Sequence, residues 1–158
     1  MVTAASPHGC ALRRGRFSEP NRIYVVTSVT HARVPIFAEL EIGRILVNAL
    51  RHQQELGRAS TLAYVVMPDH FHWLVQLAAQ VTLSSVVHSV KSYTAHRINH
   101  AHDTVRRKVW QPGFHDHALR REEDLLAAAR YIVANPLRAG LVENIREYPL
   151  WDTVWLSP

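Results

Sequence analysis

Apolar and polar residues alternate along the first half of the chain with two different periods. Residues 23–30, IYVVTSVT, are β-branched and alternate with a period of two, which predicts a strand. Residues 39–58 carry apolar side chains at helical spacing and end near a glycine, so they predict a helix that stops there. Residues 62–67 and 71–77 predict two further strands, and the Pro-Asp pair between them indicates a tight antiparallel hairpin.

The second half of the chain predicts two more helices and one short strand. An apolar stripe with helical spacing runs from Leu83 to about His100. Residues 109–119 are broken by proline and glycine and predict a short strand or an ordered loop. The last helix has acidic residues at 122–124 in its first turn and ends at Asn135-Pro136. This order of elements is typical of an α+β fold, and we expect a ferredoxin-like antiparallel sheet with the helices packed on one face.

Composition agrees with one folded domain. A chain of 158 residues with 47% hydrophobic residues is long enough to bury a core. Residues 1–22 mix Gly, Pro, Ser and Arg without periodicity and predict a flexible basic arm, whereas residues 23–158 predict a single domain. The one cysteine, Cys10, excludes an internal disulfide framework and a cysteine-based zinc site. No apolar stretch approaches the ~18 residues that cross a bilayer, so we expect a cytoplasmic protein.

Net charge indicates a polyanionic partner. Lys and Arg number 18 against 13 Asp and Glu, which gives a formal charge of +5 and a pI near 9.9. Two local groups of cations are candidate DNA-binding residues: Arg13, Arg14, Arg16, Arg106, Arg107 and Lys108. The alternative is a basic, solvated surface that has no partner.

Two histidines one residue apart occupy the second strand of the predicted hairpin. Because side chains alternate along a strand, His70 and His72 share one face, and the apolar residues from Phe71 to Leu77 share the other. A single histidine in a strand is more often a half-buried packing residue than a ligand. Two at this spacing have Cβ atoms about 7 Å apart, and their imidazoles could bind one ion. Structural zinc would need further strong ligands, so we expect a divalent ion with open positions that can polarise a phosphate.

A candidate nucleophile lies on the last helix. The apolar stripe of that helix leaves Tyr131 nearly opposite to it, and Asn135 lies one turn beyond on the same side. A helical tyrosine is usually a packing residue, which is the alternative for Tyr131. Tyr93, on the preceding helix, competes for the role of nucleophile, but it lies at the edge of its apolar stripe, where a phenol ring can pack.

Taken together, these residues resemble a known family. His70-Phe71-His72 matches the histidine-hydrophobic-histidine motif of the HUH endonucleases, and RYIVANPLRAGLV at 130–142 resembles the tyrosine segment of the REP-associated tyrosine transposases. The resemblance extends from about Arg16 to Trp155 and includes VMPDHFHWLV, KSYTAHRIN and VWQPGFHDHALR in the order of the family. The three-residue motif alone is a weak signal, but the ordered set is specific.

The resemblance implies the HUH nuclease fold and its chemistry for the domain at 23–158. In this family a tyrosine attacks a phosphodiester in single-stranded DNA, becomes joined to the 5′ phosphate and releases a 3′-hydroxyl. By motif, Tyr131 is the nucleophile, His70 and His72 are metal ligands, and Asn135 completes the site. The implied ion is Mg²⁺ or Mn²⁺, since imidazole ligands favour Mn²⁺ and abundance favours Mg²⁺.

The resemblance also implies a partner. Family substrates are imperfect palindromes that fold into single-stranded DNA hairpins, and the basic residues of this chain suit such a polyanion. Trp110 and Phe114 could stack on unpaired bases or simply close the core. The alternative function is a hairpin-binding architectural protein that has lost cleavage, although intact histidines and Tyr131 favour the enzyme. We expect a monomer associated with the nucleoid, with a dimer as the alternative.

Overall fold

Five antiparallel strands form the central sheet, in a computed structural model that describes residues 21–120 and 125–155. The strands are β1 (Ile23–Val29), β2 (Ala59–Met67), β3 (His70–Leu77), β4 (His115–Ala118) and β5 (Trp151–Thr153). Their order across the sheet is β4-β1-β3-β2-β5. The predicted ferredoxin-like arrangement is confirmed by the first four strands, and β5 is an additional edge strand that the sequence pattern did not predict.

The α-helices of the described residues follow the predicted order. They are α1 (Leu40–Glu55), α2 (Leu83–Ala101), α3 (Leu125–Val133) and the short α4 (Asn135–Arg138). Gly57 ends the first helical region with a φ of +67°, a conformation that suits glycine. The side chain of Thr82 caps α2 by accepting a hydrogen bond from the Ser85 amide at 3.1 Å. Local backbone conformation and capping therefore account for the C-terminal end of α1 and the N-terminal end of α2.

Two apolar cores lie on opposite faces of the sheet. On the first face, Tyr24, Val26 and Trp73 pack with residues of α1 and α2. On the second face, Ala129 and Ile132 of α3 pack with residues of β2 and β3. The histidines of β3 lie on the second face, because they alternate with Trp73 along the strand.

The prediction that all helices pack on one face is therefore wrong for α3. The reason is that β2 and β3 carry apolar side chains on both faces along part of their length. Val65 and Leu74 are fully buried, although they belong to the core opposite to that of Trp73. Apolar side chains on both faces of central strands require a cover on each side. α3 supplies the second cover, and this places the helix on the sheet face that bears the histidines.

Backbone hydrogen bonds from a neighbouring segment fix the turn between β2 and β3. The Thr30 amide donates to the Asp69 carbonyl at 2.9 Å, and the Phe37 amide donates to the Pro68 carbonyl at 3.0 Å. Met67 and His70 are direct partners across this turn, so the hairpin has the predicted two-residue connection. The first histidine therefore starts β3 at a position that the backbone itself determines.

Trp110 belongs to the first core. Its ring centroid lies 5.4 Å from that of Phe37 and 5.6 Å from that of Phe71. Its indole nitrogen donates to the Lys91 carbonyl at 3.1 Å. Phe114 packs against the same core as a partly buried side chain. Of the two interpretations of these aromatic residues, the geometry supports closure of the core.

Several predicted features lie outside the described residues. Arg13, Arg14 and Arg16 fall there with almost all of the predicted arm at 1–22, so the arm and its DNA contacts stay predictions. The acidic residues at 122–124 fall there too. Within the part of the chain that the structure describes, no helix is both long and apolar enough to cross a bilayer.

Candidate active site

His70 and His72 lie side by side on the sheet face that α3 covers. Their ring centroids are 5.0 Å apart, and the ring planes meet at 78°. Both residues are half-buried. The alternation that the sequence predicted thus brings two imidazoles together, next to the turn between β2 and β3.

Each imidazole is held through its Nδ1 atom. Nδ1 of His72 lies 2.7 Å from Oγ1 of Thr27, its direct partner on the adjacent strand β1. Nδ1 of His70 lies 2.7 Å from Oδ1 of Asp69. The other carboxylate oxygen of Asp69 accepts a hydrogen bond from Nη1 of Arg33 at 3.2 Å. Because Nδ1 is engaged in both rings, Nε2 is the ring nitrogen that can bind a ligand.

The surroundings of His72 and Asp69 favour the protonation states of these side chains that can bind a cation. Burial, together with the charges of His70 and Arg138, lowers the pKa of His72 to about 4, so this imidazole is neutral at neutral pH. Partial burial opposes ionisation of Asp69, but its hydrogen bond with His70 and its ion pair with Arg33 outweigh this effect and hold the pKa of the carboxyl below its ordinary value. A neutral imidazole at His72 and an ionised carboxylate behind His70 both favour a positively charged ligand at this site.

Tyr131 lies on the outer side of α3, with 66% of its surface exposed. Ala129 and Ile132, its near neighbours in the helix, are buried against the sheet, as the helical pattern predicted. The guanidinium carbon of Arg138 lies 3.9 Å from the centre of the Tyr131 ring. Nη2 of the same arginine donates to the Tyr131 carbonyl at 2.7 Å. The phenol is therefore open to a large substrate, while an arginine holds its ring and backbone.

Asn135 lies at the junction of α3 and α4. Pro136 has no N–H with which to bond the Ile132 carbonyl, four residues earlier. Nδ2 of Asn135 donates to that carbonyl instead, at 3.0 Å. This leaves the amide oxygen Oδ1 for a ligand, and α4 contacts β2, the strand beside the histidines. The role of Asn135 as a metal ligand stays a prediction.

Arg138 is a candidate site residue that the sequence pattern did not single out. It follows Tyr131 by seven residues. This spacing of two helical turns is the feature of the sequence that indicates a contact between the two side chains. Its guanidinium contacts Tyr131, and its charge is one of the causes that lower the pKa of His72. One cation therefore lies near both the candidate nucleophile and a candidate metal ligand.

Two imidazoles of this kind fit a divalent cation that keeps open coordination positions. Among residues 21–120 and 125–155, no group of three or more His, Cys, Asp or Glu side chains could hold a metal ion. Two imidazoles that present Nε2, with Oδ1 of Asn135 as a further donor, would leave positions of an octahedral ion to water or phosphate. They do not provide the closed tetrahedral shell of a structural zinc site.

The competing tyrosine lies on the other side of the sheet. Tyr93 is 42% exposed, and its ring stacks on that of His52 with centroids 6.4 Å apart. These residues belong to α2 and α1, which cover the first face. Tyr131, on α3, is thus the tyrosine that shares a face with the histidines.

The predicted basic group at 106–108 lies in an exposed loop after α2. Arg107 and Lys108 line a cavity together with His31 and Val34, which follow β1. Arg106, in the same loop, has a positive φ of 56°. The structure therefore places this group beside the segment after β1, and its contact with DNA stays a prediction.

Comparison with known proteins gives consistent results. The model of the IS200-like transposases matches residues 20–135 of this chain. A REP-associated tyrosine transposase of Escherichia coli (strain K12) is 30% identical over 88 residues, which are 55% of this chain and 50% of that protein. A relative from Haemophilus influenzae is 28% identical over 98 residues, or 56% of each protein. The chain thus spans about half the length of these two relatives.

A solved structure provides a comparison of the fold. It is described as a REP-associated tyrosine transposase bound to a REP hairpin, and it superposes with a TM-score of 0.72. The match has 23% sequence identity and covers 86% of this chain and 79% of that one. At this identity the likeness establishes the fold, and the fold agrees with the sheet and helices described above.

Replacing Asp69 with alanine should change the tautomer of His70. The carboxylate faces Nδ1 at 2.7 Å and stabilises the form that carries its proton there. Without it, the ring should return to the Nε2-protonated form that prevails in water. Long-range proton–nitrogen NMR correlations of the metal-free protein at about pH 8, where a free histidine is neutral, distinguish the two forms.

Asp152→Ala is the matched control, because Asp152 lies on the edge strand β5. It should leave the His70 spectrum unchanged. An Nε2-protonated His70 in the unaltered protein would contradict the arrangement.

Proposed function

The chain belongs to the IS200-like transposase family, and we propose that it cuts and rejoins single-stranded DNA at palindromes that fold into hairpins. Tyr131 is the nucleophile of this reaction. His70 and His72 would hold a divalent ion that stabilises charge on the phosphate. Family membership indicates the class of chemistry, and the geometry of the second sheet face supports the assignment of the residues.

One observation carries the proposal, namely the position of an exposed tyrosine on the sheet face that bears paired histidines. A packing residue would be buried, yet Tyr131 is 66% exposed on a helix whose other side is buried. Histidines with a purely structural role would not need both Nδ1 atoms held so that both Nε2 atoms remain available. Nucleophile and metal ligands on one face are the arrangement that phosphodiester cleavage requires.

The cleavage step is a transfer of the phosphate from DNA to Tyr131. The phenol oxygen attacks the phosphorus, a bond forms between them, and the bond from phosphorus to the 3′ oxygen breaks. The phenol loses its proton, and the departing oxygen takes one up to become a 3′-hydroxyl. Attack of a 3′-hydroxyl on the phosphotyrosine reverses these changes and rejoins a strand.

The side chains around Tyr131 have separate tasks in this step. A bound Mg²⁺ or Mn²⁺ supplies Lewis-acid stabilisation of the charge on the phosphate. His70 and His72 would hold it through Nε2, with Asn135 as a further ligand, and Thr27 and Asp69 keep the two rings oriented.

Arg138 offsets negative charge near the ring that it contacts. A neutral phenol is a weak nucleophile, so the reaction needs this electrostatic help.

The proposed substrate is a single-stranded DNA hairpin. The solved structure with the same fold is described as a REP-associated tyrosine transposase bound to a REP hairpin. The formal charge of +5 and the exposed basic loop at 106–108 suit a polyanion of this kind. Repetitive palindromes are therefore the class of DNA with which to test the protein.

Tyr131→Phe should abolish the covalent DNA–protein adduct and leave hairpin binding intact. The variant lacks only the phenol oxygen of an exposed side chain, so the fold should not change. The adduct is measured with a hairpin labelled at its 3′ end, on a denaturing gel. Binding is measured in parallel by fluorescence anisotropy.

Tyr93→Phe is the matched control, and it should form the adduct with nearly normal yield. An adduct from Tyr131→Phe, with the labelled peptide mapping to Tyr93, would reverse the assignment. Hairpin binding by the unaltered protein without any adduct would instead favour the architectural protein.

His70→Ala and His72→Ala should each lower divalent-dependent cleavage by at least about 100-fold. EDTA should have the same effect on the unaltered protein, because it removes the ion that the imidazoles bind. Electron paramagnetic resonance of added Mn²⁺ reports binding without reference to cleavage. His96→Ala, at an exposed position of α2, is the control. Full cleavage by the double variant His70→Ala/His72→Ala would refute the metal site.

Arg138→Gln should slow adduct formation by about 10²- to 10³-fold, with a smaller effect on hairpin binding. Arg138→Lys keeps the charge but not the planar group over the ring, so it should restore only part of the rate. Arg130→Gln removes the same charge one residue before Tyr131 and serves as the control. Equal losses in the Arg138→Gln and Arg130→Gln variants would show an effect of overall charge alone.

A further inference from the structure

A second cleft lies close to the histidine site. It is a cavity of about 290 Å³ between the segment after β1 and the loop after α2. Aliphatic side chains form its floor, and they include Ile36, Ile98 and Val109. Basic side chains surround its opening, and they include His31, Arg107 and Lys108. Its volume is near the lower end of small-ligand sites, about 300 Å³. A cavity of this composition suits a ligand with one apolar and one anionic part.

Hydrogen bonds hold both walls of the cavity in place. On the loop after α2, the side chain of Asn99 donates to the Arg107 carbonyl at 3.1 Å and accepts from the Thr104 hydroxyl at 2.8 Å. On the other wall, the His31 amide donates to the Val109 carbonyl at 2.8 Å. The cavity is therefore formed before any ligand arrives, and binding needs little further ordering.

Left-handed backbone is concentrated around this cavity. Among the described residues, six besides glycine have a positive φ, and four of them flank the cavity: Ala32 at 52°, Arg33 at 51°, Asp103 at 50° and Arg106 at 56°. Residues with a side chain rarely adopt this conformation, and it is enriched where function demands a particular backbone path. All four are exposed, so burial of an apolar side chain does not explain the conformation.

The cavity lies next to the residues that hold the His70 ring in place. Asp69 holds the His70 ring, and Arg33 in turn contacts Asp69 at 3.2 Å. His31 and Val34, on either side of Arg33 in sequence, line the cavity. The segment after β1 thus contacts the histidine site on one side and forms a wall of the cavity on the other. Ile98 and Val109, at the floor of the cavity, belong to the core of the first sheet face, so the contacts of Arg33 and Asp69 connect the cavity to the histidine site around the edge of the sheet.

We propose that this cavity, named here the flank pocket, binds one unpaired nucleotide of the single-stranded DNA next to the cleavage site. The base packs on the aliphatic floor, and the adjoining phosphate contacts Arg107 and Lys108. The inference rests on the proposed function, because it requires a single strand held at the histidine site.

A nucleotide matches both parts of the flank pocket. Inorganic phosphate would use the cations but not the floor, and an apolar ligand would use the floor but not the cations. The carboxylate of Glu39 lies 3.5 Å from Nε2 of His102, and its negative charge makes that side of the pocket unsuited to a phosphate. Arg107 and Lys108 therefore remain as the phosphate contacts.

Photo-crosslinking tests the flank pocket directly. The full chain is irradiated with single-stranded oligothymidine that contains one 4-thiothymidine, and crosslinked peptides are located by mass spectrometry. We expect crosslinks within residues 31–36 or 107–109. Oligothymidine should also bind about fivefold more tightly than an abasic strand of equal length and charge, because the base buries apolar surface on the aliphatic floor.

Two kinds of variant separate the floor from the cations. Val34→Ser, at a position 36% exposed, should reduce the preference for thymidine over the abasic strand without loss of charge. The double variant Arg107→Gln/Lys108→Gln should weaken both strands alike and lower the slope of log affinity against log salt by about 1.4. Arg51→Gln/Arg146→Gln removes the same charge close to β5 and should have a smaller effect.

Crosslinks confined to other segments, or equal affinity for thymidine and abasic strands, would overturn the flank pocket. Adduct formation at Tyr131 on a hairpin tests the proposed function separately. An adduct with crosslinks elsewhere refutes the pocket alone. Crosslinks in the pocket without an adduct refute cleavage and support the pocket.

Discussion

The packing of α3 on the second face of the sheet is the contact on which the candidate active site depends. Ala129 and Ile132 make it with buried residues of β2 and β3. Because these side chains fix the rotation of the helix, they also fix which side of it faces outward, and Tyr131 lies on that side. The histidines occupy a central strand that is paired on both edges. A rigid strand and a docked helix thus determine the position of the proposed nucleophile relative to the proposed metal ligands.

Polar contacts complete this arrangement, and each comes from a different part of the chain. Thr27 reaches His72 from the neighbouring strand, and Asp69 reaches His70 from the turn. Arg33 reaches Asp69 from the segment after β1. Such outer contacts orient the two imidazole rings, and the carboxylate of Asp69, which only accepts, also favours the Nδ1-protonated tautomer of His70. The bond of Thr27 also satisfies a ring nitrogen of a largely desolvated imidazole.

Cations lie both at the candidate active site and at the flank pocket. Arg138 lies over the Tyr131 ring, and Arg107 and Lys108 line the pocket. A single strand between them would meet positive charge at both ends and aliphatic surface at one. In the proposed reaction this division separates the group that would assist cleavage from the groups that would hold the strand.

Local pattern by itself determined the first three strands, the three long helices, the two-residue hairpin and the shared face of His70 and His72, because period and turn chemistry act over a few residues. It also placed Tyr131 away from its helix's apolar stripe. Only the tertiary structure decided that α3 covers the histidine face, that Thr27 meets His72 across 45 residues of chain, and that β5 extends the sheet. The spacing of apolar and polar residues along the sequence indicates which side of a helix or strand a residue occupies. Which other element comes to lie on that side depends on burial summed over the whole chain, and no local pattern contains that information.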